Sequence, residues 1–179
     1  MIHYKKLNIN DDQQLMALLK WENDASIHHL ITPVTDSKQT FTPMNIDQLK
    51  AQCNLKNGEG KHQYLVYDQE QPIGQFSIHI DPAHLYKKIN HSSWLGLCIG
   101  EKSYWGTGAG QKAMEFFEQE SIQLGLKRVE LGVFEFNTRA IQFYKKLGYQ
   151  EIGALENFTY WDGQYWSDIR MEKYLSRNE

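Results

Sequence analysis

The sequence predicts a mixed α/β architecture, and three observations carry that expectation. Stretches whose apolar residues alternate with period two, as in strands, are interleaved with stretches spaced by three and four, as in helices. A strong strand pattern, SSWLGLCIG, is followed at once by a helix start full of glycine, YWGTGAGQKAMEFFEQE. The C-terminal stretch ENFTYWDGQYWSDIRMEKYL reads as a hairpin around Asp162-Gly163, a pair suited to primed turns. Elements in this order call for helices layered on a sheet.

A first strand is expected over residues 2–7. A helix follows over 12–21, with Leu15, Leu18 and Leu19 at helical spacing and Asp11 or Asp12 as cap. Residues 24–43, which include Pro33 and Pro43, read as irregular, and a second helix is expected over 45–54, ending before Asn57-Gly58. HQYLVYD and PIGQFSIHI read as strands joined by the turn DQEQ, and a loop over 81–90 leads to the strand SSWLGLCIG. In the helix after the glycines, Ala113, Phe117, Ser121 and Leu124 form one buried stripe, and Gly125 is its stop. RVELGVF is the next strand, with Val129, Leu131 and Val133 on one face. Asn137 caps TRAIQFYKKL, whose Ala140, Phe143, Tyr144 and Leu147 share a face, and Gly148 closes it. With the terminal hairpin this makes about seven strands and four helices, expected as one domain over 1–179.

Composition excludes several function classes. The formal net charge is −3 and no basic block occurs, which argues against nucleic-acid binding through a broad electrostatic footprint. Aromatic residues make up 13% of the chain, enough to line a surface as well as a core. Cys53 and Cys98 belong to no metal-ligand spacing, so no metal site is expected. There is neither a signal-peptide pattern nor an apolar run approaching the roughly 20 residues that span a bilayer. A soluble, cytoplasmic chain with no membrane partner is the expectation.

The glycine segment carries the chemistry. Glycine costs roughly 1 kcal/mol against alanine inside a helix, so a helix that opens on Gly106, Gly108 and Gly110 needs a reason. The first amides of a helix lack internal partners, and the helix dipole makes that end partly positive. Phosphates bind there when no side chain blocks the backbone. The alternative is a tight structural turn. No Gly-Lys-Ser/Thr follows, so the segment is not a P-loop. A dinucleotide fingerprint would carry a later glycine and lie near the first strand, whereas three strands precede the one that leads into this segment.

IGEKSYWGTGAGQKAMEFF, followed some 30 residues on by VFEFNTRAIQFYKKLGYQEIG, resembles the GNAT superfamily of acetyl-coenzyme A-dependent N-acetyltransferases, most closely its ribosomal-protein-type and polyamine-type branch. The resemblance runs from about residue 93 to 173. It implies a mostly antiparallel sheet splayed between its fourth and fifth strands, with acetyl-CoA as cosubstrate entering the gap. By resemblance, Leu97, Cys98 and Ile99 would pair their backbone with the pantetheine arm. Gly108 and Gly110 take the two glycine places of the coenzyme loop, and Trp105 stands where Gln or Arg is commonest. Trp105, Gly106, Thr107, Gly108, Ala109, Gly110 and Gln111 would line the coenzyme site, with the amides from about Thr107 to Gln111 on the pyrophosphate. Asn137 resembles an asparagine that contacts the coenzyme, although its role as helix cap also accounts for it. Tyr144 stands at the general acid's place and would protonate the departing thiolate; the other reading is a core tyrosine on an amphipathic helix.

The base that must deprotonate the acceptor is not legible. Some relatives carry glutamate twelve residues before the tyrosine, where this chain has Gly132; others carry an acidic residue where it has Trp94. Glu130, Glu135, Glu101 and His79 remain candidates, each also readable as a structural or solvated side chain, and bulk solvent is another route. His28-His29 falls in the segment that in this family walls the acceptor site. Trp21, Glu22, Asp24, Phe158, Tyr160, Trp161, Tyr165 and Trp166 suit a cationic amine through ring faces and carboxylates, or else form a hairpin core or a dimer contact. The resemblance implies transfer of an acetyl group to a primary amine by direct attack. Polyamine-like molecules, amino sugars, amino acids and protein N-termini all qualify as acceptors, and a homodimer is compatible. A non-catalytic acyl-coenzyme A-binding module that regulates a partner is the alternative.

Overall fold

The computed structural model describes residues 1–56 and 60–176 and is built on one seven-stranded sheet. The elements are β1 (Ile2–Lys6), α1 (Asp12–Glu22), α2 (Ala25–Ile31), α3 (Ile46–Lys56), β2 (Lys61–Asp68), β3 (Gln71–Ile80), β4 (Ser92–Cys98), α4 (Ala109–Gln123), β5 (Arg128–Phe134), α5 (Thr138–Lys146), β6 (Gln150–Trp161) and β7 (Gln164–Tyr174). Strand order is β1-β2-β3-β4-β5-β7-β6, antiparallel throughout except for the parallel pair β4–β5. The mixed α/β expectation therefore holds, with one more helix than the sequence suggests.

Local signals account for most boundaries. Asp11 accepts from the Gln14 amide at 3.1 Å and caps α1. Asn45 and Gln48 exchange side-chain bonds with each other's amides at 2.8 and 2.9 Å, a capping box that starts α3. The Asn57-Gly58 stop expected for α3 lies outside the described residues. Asp162 and Gly163 both hold positive φ, +49° and +84°, as a primed hairpin turn demands. The additional helix α2 falls in the stretch read as irregular. It has only seven residues and Ile27 is its one buried side chain, so it leaves no periodic stripe to see.

The sheet separates two apolar clusters. On one face Phe76, Ile78, Leu95, Val129, Leu131 and Met171 pack with Ala113, Met114 and Phe117 of α4 and Tyr144 of α5. The expected stripes of α4, β5 and α5 are thus the core. A second cluster joins Leu15, Leu18 and Trp21 of α1 to Leu49 and Cys53 of α3.

The arrangement that creates a site is the splay of β4 from β5. Their pairing runs only from Ser92↔Arg128 to Trp94↔Glu130. Outside partners follow each strand further, β3 along β4 to Cys98 and β7 along β5 to Phe134. The facing edges beyond Trp94 and Glu130 are left without a strand between them, a V-shaped gap with unspent backbone groups. Among the described residues, no helix is long and apolar enough to cross a membrane.

Candidate active site

One wall of the gap begins where β4 ends. A short 3₁₀ turn over Lys102–Tyr104 leads to Trp105, whose indole N–H donates to the Ile99 carbonyl at 2.6 Å and folds the loop back on its strand. Gly106 and Gly108 then take φ of +79° and +90°, a region that costs an L-residue 1–2 kcal/mol, so glycine is the low-strain choice there. A Cβ at either position would meet nothing within 4 Å, so the space in front of the turn is open. Gly110 serves differently: a Cβ there would lie 3.4 Å from the Phe143 ring, so its bare backbone lets α4 approach α5.

No side chain caps α4 at Gly108, and Lys112 is the first residue whose N–H reaches back, to the Gly108 carbonyl at 3.1 Å. The preceding helical amides have no carbonyl to reach within the helix, which leaves a donor cluster at a positive dipole end. Thr107 differs from the expectation: its amide is already turned to the Tyr104 carbonyl at 3.4 Å, and its hydroxyl to the same carbonyl at 2.8 Å. Arg139, which sequence reasoning missed, lays its guanidinium 3.8 Å over the Trp105 ring. α5 thereby sets a cation against a turn in which Trp105 itself brings no charge. The signal was available in the first turn of a helix whose neighbour α4 was already recognised.

α5 brings two more groups. Asn137 accepts from the Ala140 amide at 3.2 Å, so its capping role is realised by the oxygen, and its amide nitrogen is not part of that bond. Tyr144 is buried, with edge contacts to Phe143 and Tyr149, and its hydroxyl makes no hydrogen bond among the described residues. Burial, with Cys98 adding to it, pushes the phenol well above its ordinary pKa, so it carries its proton at neutral pH. Cys98 is also buried; burial first, then the Glu22 and Asp24 charges, push its thiol up to about 12. A thiol so held is a poor nucleophile at neutral pH.

The side chains around the gap correct several expectations. Glu130 is fully buried, not a solvated charge. It pairs with Arg128 and, at 3.5 Å, with Arg170, and it accepts the Tyr86 and Lys87 amides at 2.5 and 3.2 Å. Arg128 also binds Glu172 at 2.6 Å, and Lys87 reaches Glu172 as well. Glu130 therefore tethers the loop over 81–91, with no lone pair to spare for a proton relay. Trp21, expected at the acceptor, is wholly buried between α1 and α3; its indole N–H donates to Glu101 at 2.9 Å and its ring covers Gly100. Glu101 also holds Lys20 at 2.5 Å; burial would raise its pKa, and these two donors outweigh that and lower it. Glu135 is exposed and accepts the Ser167 amide at 3.2 Å. His79 lies 5.8 Å from His84, whose ring meets Trp94 edge-on at 4.6 Å, and burial lowers the pKa of both histidines.

Position 132 carries no side chain, yet its space is filled. A Cβ on Gly132 would fall 2.6 and 2.7 Å from the two carboxylate oxygens of Asp168 on β7. Sequence reasoning passed over Asp168. Along β7, Asp168, Arg170 and Glu172 alternate with Ile169 and Met171, a pattern that reads as a solvated face, but all three charged residues are buried.

Aromatic residues join α2 to the hairpin. His29 stacks on Trp161 at 4.0 Å; Phe136 lies 6.2 Å from Trp161 and 5.7 Å from Trp166; Phe158 meets Phe134 at 6.2 Å. The Tyr160 amide donates to the Val34 carbonyl at 2.7 Å, which seats the segment after α2 on β6. Tyr165 pairs edge-on with Tyr160 at the hairpin tip. Asp24 caps α2 through Ser26 and pairs with Lys102 at 3.1 Å, whereas Glu22, partly exposed beside it, has no ion pair among the described residues. No group of three or more metal-ligating side chains occurs among the described residues.

A family model described as the acetyltransferase (GNAT) family matches residues 17–149. The chain is 35% identical over 92 residues to a protein named probable spermine N(1)-acetyltransferase from Bacillus subtilis subsp. natto (strain BEST195), covering 51% of this chain and 60% of that protein. It spans 50–60% of the length of the curated relatives it matches. Among solved structures, a ribosomal-protein-alanine N-acetyltransferase from Brucella melitensis is similar at a TM-score of 0.75 and 20% identity, covering 97% of this chain and 99% of that one. A spermidine N-acetyltransferase from Vibrio cholerae, in complex with CoA and spermine, is similar at 0.74 and 19%, covering 97% and 95%. At such identities these two likenesses are of fold.

Proposed function

Because the chain belongs to the acetyltransferase (GNAT) family, we propose that it transfers an acetyl group from acetyl-CoA to a primary amine by direct attack. The observation that carries this reading is the pairing of two features at the splayed gap. One is an uncapped, glycine-opened helix start with open space before it; the other is the buried Tyr144 phenol, whose hydroxyl has no hydrogen-bond partner among the described residues.

The residues present fit acetyl-CoA. The amides that open α4, with Gly108, Ala109, Gly110 and Gln111, would hold the pyrophosphate, and Arg139 over Trp105 would add a positive charge beside it. Leu97, Cys98 and Ile99 line the open edge of β4 toward the pantetheine arm; the Ile99 carbonyl is already occupied by Trp105, so the bonds would come from the neighbouring backbone groups. Asn137 keeps its amide nitrogen for the coenzyme while its oxygen caps α5. Tyr144 donates its proton to the leaving sulfur, an effect usually worth about 10²–10⁴-fold. The high thiol pKa of Cys98 favours direct attack over an acyl-cysteine route.

The acceptor side supports a cationic amine. Glu22 offers an uncompensated carboxylate, and the His29, Trp161, Phe136 and Trp166 rings form a surface for a cation. The relatives named for spermine and spermidine make polyamines the first acceptors to try. Thiol release from acetyl-CoA, followed over a panel of polyamines, amino sugars, amino acids and peptides with free N-termini, tests the reading. Release with an amine bears it out. Tight acetyl-CoA binding with no release from any amine would replace it with a non-catalytic acyl-CoA-binding module.

A further inference from the structure

We propose that Asp168 accepts the proton that the acceptor ammonium must lose before it attacks. The inference rests on the acetyltransferase reading above and supplies the base that β4 and β5 themselves lack.

Three observations converge on this residue. The first is placement. The Asp168 carboxylate occupies the volume that a side chain at position 132 would fill, because Gly132 has no Cβ to contest it. Gly132 lies on the stretch of β5 past its last pairing with β4, so the carboxylate stands at the border of the gap. The second is availability. Oδ2 accepts from Arg170 Nε at 2.8 Å, while Oδ1 makes no hydrogen bond among the described residues. Among the buried carboxylates of the described residues that face Arg128 and Arg170, Glu130 and Glu172 each pair with two cationic side chains, whereas Asp168 pairs with Arg170 alone. The third is position relative to the acid. Tyr144 reaches the gap from α5 on one face of the sheet, and Asp168 shares the opposite face with Arg170 and Trp94. A donor thioester lying between them would be approached by amine from one side and relieved of its sulfur from the other.

The proton balance closes. The ammonium gives one proton to the Asp168 carboxylate, and the neutral amine's lone pair forms the C–N bond to the thioester carbonyl. The C–S bond breaks, its electron pair leaves with sulfur, and Tyr144 protonates that sulfur. The second proton lost by nitrogen as the amide forms restores Tyr144, and the proton on Asp168 passes to solvent.

Burial raises the Asp168 carboxyl above the ordinary carboxylate range, with Arg170 offsetting part of the rise, which improves its match to an amine. The charged groups around it are Arg170 on its own strand, Glu130 on β5 through Arg170, Glu135 beside Ser167, and His84 from the loop over 81–91 with His79 of β3 behind it.

The test is the pH dependence of kcat/KM with the best amine from the panel, for the wild type, Asp168→Asn, Glu22→Gln and His84→Gln. In the wild type kcat/KM falls as pH drops through the Asp168 pKa, above the ordinary aspartate range, and stays level until the amine titrates itself near pH 10. Asp168→Asn keeps an oxygen for Arg170 and leaves acetyl-CoA stabilisation of the melting temperature intact. Its kcat/KM is lower by about 10²–10⁴ at neutral pH and climbs tenfold per pH unit toward the amine pKa, so the deficit closes in alkali. A purely structural role would not produce that slope. Gly132→Ala, which crowds the carboxylate aside, lowers kcat with unchanged acetyl-CoA binding. A wild-type profile in Asp168→Asn, or loss of the acid limb in Glu22→Gln or His84→Gln instead, would overturn the assignment. A wild type that turns over no amine would overturn the acetyltransferase reading itself.

Discussion

The two sides of the β4–β5 gap are built from different materials. The side that leads into α4 is made of backbone: positive φ at Gly106 and Gly108, uncapped amides, and an open strand edge. The side facing α2 and the hairpin is made of side chains gathered from α1, α2, β5, β7 and the loop over 81–91. Backbone sites are specified by a few adjacent residues and bind what all substrates of a reaction share. Side-chain sites are specified by distant residues and can vary without disturbing the first. The difference teaches why the donor of the proposed reaction was legible and the acceptor was not.

The largest predicted effect breaks the acceptor side as structure. Glu130→Ala takes one buried carboxylate from both Arg128 and Arg170, leaving each with a single carboxylate partner (Glu172 and Asp168), and frees the loop amides of Tyr86 and Lys87. A loss of about 3–5 kcal/mol is expected, lowering the melting temperature by about 6–20 °C. A shift within a degree of the wild type in a thermal melt would mean that Glu130 is solvated after all.

Next comes a break in the backbone side. Gly108→Val forces a β-branched residue to φ near +90°, at a cost of about 1–2 kcal/mol. Its side chain enters the open space before the amides, so acetyl-CoA affinity should fall by roughly tenfold or more, about 1.4 kcal/mol. Calorimetric titration checks it; wild-type affinity would show that the coenzyme does not use this turn. The smallest effect sharpens the comparison. Arg139→Ala removes one exposed cation–π contact worth about 0.5–1 kcal/mol. It should raise the KM for acetyl-CoA about two- to fivefold with kcat unchanged, because Arg139 is an addition to a site that the backbone already makes.

The same contrast explains what could be read from the residues alone. The succession of seven strands, the α4 and α5 stripes, the primed turn at Asp162-Gly163 and the glycine turn are local codes, and all of them stand in the structure. Even there the reasons divide: Gly106 and Gly108 answer to conformation, whereas Gly110 answers to Phe143, a neighbour 33 positions on. Helix α2 escaped because one buried side chain in seven residues makes no pattern. Trp21 was misplaced because a tryptophan on an amphipathic helix looks the same whether a second helix or a ligand covers it, and α3 covers it. Glu130 and Asp168 were beyond reach for a further reason. A carboxylate is read as solvated unless its partners are known: Glu130 is held by Arg128 and Arg170 and by two loop amides, and Asp168 by Arg170 in space that Gly132 leaves free.

The central claim is that a donor site and a separate proton donor meet at the gap, so binding and chemistry can be pulled apart. Tyr144→Phe tests it most directly, with thiol release and acetyl-CoA binding measured on the same preparation. The account predicts a kcat lower by about 10²–10⁴ at unchanged acetyl-CoA affinity. Turnover equal to the wild type would contradict it.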